Sequence, residues 1–274
     1  MHLRPHCRFC LLAALLLATA RLSAQAVAPL SIGETHTLHS AALQEDRLLH
    51  VYLPVAPADS TGYPVIYLLD GSLHEDFLHT VGLVQFFNLM YGMPPCIVVG
   101  ISNVDRKRDF TFPTQLADLQ AKYPTTGGSA AFIAFLETEL IPYIDGRYAT
   151  APARYLIGQS LGGLLATEVL LRKRHLFTHY LIVSPSLWWD NESLLAQAAD
   201  QLRQGSSRPY VYVSVGEEGR IMEREAKALH RLLQQHPDAC SAVDFVRMRD
   251  ENHATILHST LYQVFKRLFP YQAP

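Results

Sequence analysis

Cysteine is scarce in this chain of 274 residues: there are four, and two of them, Cys7 and Cys10, fall within the first ten positions. The remaining pair, Cys96 and Cys240, shows no Cys-x-x-Cys spacing and no scaffold pattern, which excludes a disulfide-rich fold and a structural zinc module; both read as buried thiols. A His-Glu-x-x-His pattern is also missing, which removes the zinc-protease reading, and nothing else in the sequence asks for a metal or an organic cofactor. No apolar run reaches the roughly 20 residues that span a bilayer. Excess positive charge is lacking too. Formal charge is −2, and without residues 1–24, which hold Arg4, Arg8, Arg21 and no acid, 20 basic residues face 25 acidic ones. Nucleic acid and anionic membrane surfaces are therefore poor partners.

What the first residues do have is an order: Arg4 and Arg8, the apolar run Phe9 to Ala20, then Leu22-Ser23-Ala24-Gln25-Ala26. That is the charged, hydrophobic and small-residue succession of a secretory signal peptide, with cleavage expected after Ala24 or Ala26. Cys7 and Cys10 precede a full hydrophobic region and so do not mark a lipid-anchored cysteine. The expectation is a signal peptide over 1–24, then one domain over 25–274, secreted or periplasmic and free of the membrane after cleavage. Its 49% hydrophobic and 18% charged composition is that of a globular protein.

Two alternating runs, Thr35 to Ser40 and Leu48 to Leu53, predict an antiparallel hairpin at the start. The pattern then changes to continuous β-rich apolar runs: Val65 to Leu69, Ile97 to Ile101, Tyr155 to Ile157, Tyr180 to Val183, Val211 to Val215, with Val243 to Met248 as one more. Such runs belong to strands buried on both faces of a parallel sheet. Helical stretches lie between them, roughly at Phe77–Leu89, Ser129–Ile141, Leu161–Arg172, Leu194–Gln204, Glu223–Gln235 and Thr255–Phe269. Strict alternation predicts a doubly wound, mostly parallel sheet with helices on both faces, its functional loops gathered at the carboxyl ends of the strands. Ser102 to Gly128, which holds Arg106-Lys107-Arg108-Asp109, is the longest stretch without clear periodicity and is a candidate substrate-facing loop.

Within that frame Gly158-Gln159-Ser160-Leu161-Gly162 follows a strand and opens a helix, which is the nucleophile elbow of an α/β-hydrolase. A serine at the apex of so sharp a turn sits in a strained backbone, and glycines at 158 and 162 avoid collisions with the neighbouring strand and helix. Chain order in this fold is serine, acid, histidine, which puts the base after the last strand, at His253 in Asp250-Glu251-Asn252-His253; His258 is its competitor. The acid is sought after Val211–Val215, where Glu218 is favoured over Glu217; Asp190 remains the other candidate, and helix capping is the plain alternative for both glutamates. The oxyanion hole is assigned to the backbone N–H of Leu161 and, from the turn Leu69-Asp70-Gly71-Ser72, of Ser72 or Gly71. Trp188 and Trp189, side by side after another strand, are expected to line an apolar acyl or aryl pocket. Gly127-Gly128-Ser129 lacks the lysine of a phosphate cradle and reads as a helix start with Ser129 as N-cap.

Taken together, Tyr63 to Gly71, Arg108-Asp109-Phe110-Thr111, Gly127 through Ile144, Gly158 to Gly163, Ser184 to Trp189 and Asn252-His253 resemble the esterase D-like family of serine esterases, in particular its enterobactin- and bacillibactin-type siderophore esterases. The resemblance implies an ester hydrolase with Ser160 as nucleophile and His253 as base, and a substrate cleft lined by Arg108 and the Trp188-Trp189 loop. The acid is the position at which members of that family differ. Formylglutathione hydrolases, feruloyl and acetyl-xylan esterases and mycolyl transferases share the pattern, so acyl transfer is the alternative reaction. A binding protein without turnover is the reading from another class.

Overall fold

The computed structural model describes residues 28–56 and 58–271; the expected signal peptide lies outside them. Residues 28–31 carry no helix or strand. From Ile32 onward eight strands form one sheet: β1 (Gly33–Ser40), β2 (Glu45–Tyr52), β3 (Tyr63–Leu68), β4 (Ile97–Ile101), β5 (Thr150–Gln159), β6 (His179–Val183), β7 (Tyr210–Val215) and β8 (Ala242–Arg247), in the spatial order β1-β2-β4-β3-β5-β6-β7-β8. β1 and β2 form the expected antiparallel hairpin, and β2 meets β4 antiparallel, with Leu49 opposite Ile101. All further pairs are parallel, β3 lying between β4 and β5 with Ile66 opposite both Val98 and Tyr155.

The period of two along a strand sorts these apolar runs onto two cores. Val65, Tyr67, Ile97, Val99 and Leu156 face one side, where they pack with Phe132, Leu164, Leu194 and Leu229; Ile66, Leu68, Val98 and Ile157 face the other, with Phe77, Phe87, Leu261 and Phe265. The second face is covered by α1 (Phe77–Met90) and the last helix, Ile256–Leu268.

The loop after β4 is not structureless: it contains two short helices, α2 (Arg106–Phe110) and α3 (Ala117–Lys122), too brief to impose a period on the sequence. Beyond it, α4 (Ser129–Phe135) continues through a π turn (Leu136–Leu140) into α5 (Ile141–Arg147). Pro142 cannot donate to the carbonyl four residues back, and the widened turn directly precedes it. Gly128, not Ser129, is the N-cap, and no side chain caps this helix. The helix α6 (Leu161–Arg172) has the limits read from the sequence and is buried from Leu161 to Leu171, as an apolar helix between a sheet and other helices must be. α7 (Ser193–Leu202), α8 (Arg220–Gln235) and α9 (Ile256–Leu268) complete the chain. Cys96 and Cys240 are both free and buried.

Candidate active site

β5 ends against the start of α6 with Ser160 at φ 63° and ψ −119°, a conformation that costs a residue with a Cβ on the order of 1–3 kcal/mol. Neighbours hold it there: Ser160 N–H donates to Val183 O at 3.0 Å, and Ser160 O accepts from Ser186 N–H at 3.0 Å and Leu164 N–H at 2.9 Å. Gly158 is required, since a Cβ there would stand 2.3 Å from Gly162 O. Of the two glycines after the serine the tight one is Gly163, whose Cβ would lie 2.9 Å from Pro185 Cα and Val183 O; at Gly162 the nearest atom would be 3.4 Å away. The sequence reading had placed the second collision at Gly162.

His253 comes from the loop after β8, and its Nε2 accepts from Ser160 Oγ at 3.0 Å. On the other side of the ring Nδ1 donates to Glu218 Oε2. Glu218 is the acid that reaches the histidine. It lies beyond β7, almost wholly enclosed, and its Oε1 accepts from Ser184 Oγ and from Gly216 N–H, the latter at 2.9 Å. Burial pushes this carboxyl up most strongly of the single influences, but the bonds from His253, Ser184 and Gly216 outweigh it and hold the group below the ordinary glutamate value. A carboxylate kept ionised in this way favours the His253 tautomer that accepts the serine proton.

The other acids go elsewhere. Glu217 projects towards Arg247 at 3.7 Å, and Asp190 accepts from Thr114 Oγ1 at 2.6 Å and Ser193 Oγ at 2.7 Å. His258 pairs with Asp76 at 3.3 Å and stacks on His79 with centroids 3.5 Å apart.

Leu161 is the first residue of α6, so its N–H has no preceding helical carbonyl. Of the two donors considered in the turn after β3, Gly71 N–H is taken by Ile101 O at 3.0 Å, whereas Ser72 N–H has only a long contact of 3.3 Å with Glu75 Oε2.

Two expectations about the cleft need correction. Trp188 lines it, together with Ser160, Ser186, Glu217, Glu218, Met222, Asn252 and His253, around a space of about 440 Å³. Trp189 does not: it is fully buried, its indole N–H donates to Phe112 O at 2.9 Å, and its ring meets Tyr123 edge-on. The two indoles stay neighbours, with centroids 6.1 Å apart, but only Trp188 reaches the cleft. The Arg108 guanidinium is likewise spent, donating to Asp109 Oδ1 at 2.8 Å and Glu45 Oε1 at 2.6 Å beside the buried Arg47–Asp109 ion pair. The arginine that reaches the elbow is Arg106, whose Nη2 lies 3.3 Å from Gln159 O. Ser184 and Ser186 carry roles at the site that the sequence reading did not assign, although both lie in the Ser184–Trp189 segment it singled out.

A serine at the strained apex after the central strand, with histidine and glutamate in line from two later loops, defines a hydrolase of the α/β type. The chain belongs to the Putative esterase family, whose model matches residues 40–245, and it is a carboxylic-ester hydrolase. It is 30% identical to the ferri-bacillibactin esterase BesA of Bacillus subtilis, over 78% of this chain and 82% of that protein. Among solved structures it superposes on the BES protein from Bacillus cereus with a TM-score of 0.78 and 28% identity, covering 91% of this chain and 98% of the other. An IroE-like serine hydrolase from Shewanella oneidensis matches with a TM-score of 0.76 and 30% identity, over 86% and 80% of the two chains.

Proposed function

We propose that the protein cleaves siderophore-type or other small-molecule carboxylic esters through an acyl-enzyme on Ser160. The observation that carries this reading is the line Ser160 Oγ, His253 Nε2, His253 Nδ1, Glu218 Oε2. His253 takes the serine proton as Oγ bonds to the ester carbonyl carbon, and the carbonyl electron pair moves onto oxygen. Leu161 and Ser72 N–H receive that oxyanion. Its collapse breaks the bond to the alcohol, which leaves with the proton from Nε2. Water, deprotonated by the same nitrogen, then releases the acid and restores Ser160.

An open cleft with one aromatic wall, Trp188, admits a bulky, multi-armed ester. Half-exposed His253 leaves the acyl-enzyme accessible to water, which favours hydrolysis over transfer to another acceptor. The signal-like order of residues 1–24 supports a secreted or periplasmic location.

The test is hydrolysis of p-nitrophenyl esters from acetate to octanoate, and of a triscatecholate trilactone, by the wild-type chain and Ser160→Ala. Loss of turnover in the variant, with its thermal midpoint within a few degrees of wild type, is expected. Retained turnover would remove Ser160 as nucleophile, and cleavage of simple esters without the trilactone would remove the siderophore class.

A further inference from the structure

The β3–β5 ladder ends where Leu69 N–H donates to Ile157 O at 3.0 Å. Beyond that bond Gly71 N–H turns to Ile101 O and Ser160 N–H to Val183 O, so these amides no longer tie the two strands together. Yet the turn after β3 carries Ser72 and the end of β5 carries the nucleophile, and the two must keep a fixed separation if their donors are to meet one oxyanion.

One side chain crosses the gap. Arg106, at the start of α2, donates from Nε to Asp70 Oδ1 at 2.6 Å and from Nη2 to Asp70 Oδ2 at 2.8 Å, while the same Nη2 lies 3.3 Å from Gln159 O. Asn103 Nδ2 adds a bond to Asp70 Oδ1 at 2.7 Å. Asp70 itself has φ 55°, so the turn is held in a backbone conformation that a non-glycine residue rarely adopts unaided. On its inner side the turn lies close to the elbow, for a Cβ added at Gly162 would stand 3.4 Å from Asp70 Oδ2. The Arg106 guanidinium also lies over the Phe110 ring, 5.4 Å from its centroid.

We propose that Arg106 is a positioning residue of the oxyanion hole: its planar fork clamps the turn bearing Ser72 to the residue preceding Ser160. The inference rests on the serine-esterase reading above. A guanidinium can grip both carboxylate oxygens and a carbonyl in one plane, whereas a lysine ammonium is a point donor and leaves the angle free. Donors displaced by about 1 Å lose on the order of 100-fold in rate. Because Arg106 and Asp70 do not line the cleft at Ser160, loss of the clamp acts on the transition state and not on substrate affinity.

The experiment compares wild type, Arg106→Met, Arg106→Lys and Arg106→Met with Asp70→Asn on the neutral ester p-nitrophenyl butyrate, alongside hydrogen exchange of residues 69–76 by mass spectrometry. Expected are a kcat at least about tenfold lower in Arg106→Met with KM changed less than about threefold, faster exchange over 69–76, and incomplete recovery in Arg106→Lys. Unchanged exchange overturns the clamp whatever the activity. A raised KM with unchanged kcat overturns it in favour of substrate binding by the guanidinium. Restoration of kcat by Asp70→Asn overturns it in favour of simple charge neutralisation. Arg106→Lys keeps charge and most of the volume, so it decides the matter if the methionine variant does not fold. Absence of ester turnover in the wild type would sink the esterase reading, while the exchange comparison would still decide the clamp.

Discussion

Replacing Glu218 by glutamine changes one oxygen for an NH2 and leaves the shape alone, so it isolates what the carboxylate does. In the native site one oxygen accepts from Ser184 Oγ and Gly216 N–H and the other accepts from His253 Nδ1. An amide has a single oxygen and cannot serve both sides. If the oxygen keeps Gly216 and Ser184, the NH2 faces Nδ1 and forces the ring into the tautomer that places a proton on Nε2, towards the serine. If it turns the other way, an N–H meets the Gly216 N–H in an enclosed space. Loss of a charge-assisted hydrogen bond accounts for about 1.5–3 kcal/mol, or roughly 10- to 100-fold in rate, and the wrong tautomer raises the loss towards 10⁴-fold. KM for p-nitrophenyl butyrate should move less than about threefold, because the Glu218 carboxylate is already engaged by His253, Ser184 and Gly216. Glu217→Gln is the matched control: its exposed side chain stands at the cleft and pairs with Arg247 instead of His253, and kcat should stay within about twofold of wild type. Steady-state kinetics on the two variants decides. A Glu218→Gln protein with more than a third of the native kcat, or a Glu217→Gln protein impaired as severely, would refute the argument.

Trp188→Ala should raise KM for the octanoyl ester roughly tenfold while leaving the acetyl ester nearly unaffected, since a long acyl chain has apolar surface to bury on that wall and an acetyl group has little; equal effects on both would remove Trp188 from the pocket. Trp189→Ala should instead lower unfolding free energy by about 3–5 kcal/mol in urea titration, the cost of emptying a fully buried indole site. Burial pushes the Glu225 carboxyl on α8 up to about 7 from an ordinary 4.5, with the charge of Glu192 adding to the effect and Arg224 opposing it. Between those values the folded state binds more protons than the unfolded chain, so this group lowers stability as pH rises through that window. Glu225→Gln should therefore gain stability relative to wild type at pH 8 compared with pH 5, and a difference independent of pH would contradict it.

Much of the scaffold was readable from local pattern. Burial on both faces of a parallel sheet leaves uninterrupted β-rich runs, and each of those runs is a strand, although β8, at the edge of the sheet, is only half-buried. The apolar stretch Leu161–Arg172, opened by the serine turn, is a helix with those same limits. Where brevity hides the period, as in α2 and α3, the reading saw only a loop. The helix expected over Ser129–Ile141 includes the π turn but stops short of Arg147, because Pro142 reads locally as an end.

Neighbouring residues of the same chemical type marked the limit. Glu217 and Glu218 were separated by preference alone, and Trp188 and Trp189 were both given to the pocket. Arg108 was chosen from a run that also contains Arg106. In each case the partners that decide between them lie far along the chain: Ser184 and His253 for Glu218, Phe112 and Tyr123 for Trp189, Asp70 and Gln159 for Arg106.

By itself, then, the sequence determined the alternation of strand and helix and the strained serine turn at Ser160, because these follow from periodicity and local sterics within a few residues, and chain order pointed to His253 as its partner. Only the tertiary structure decided which carboxylate meets the histidine, which arginine reaches the elbow and which tryptophan faces the cleft. Those outcomes depend on the order of strands in the sheet, which sets β6 beside β5 and β7 beside β6 and so brings Ser184 and Glu218 towards the serine from loops that no local pattern connects.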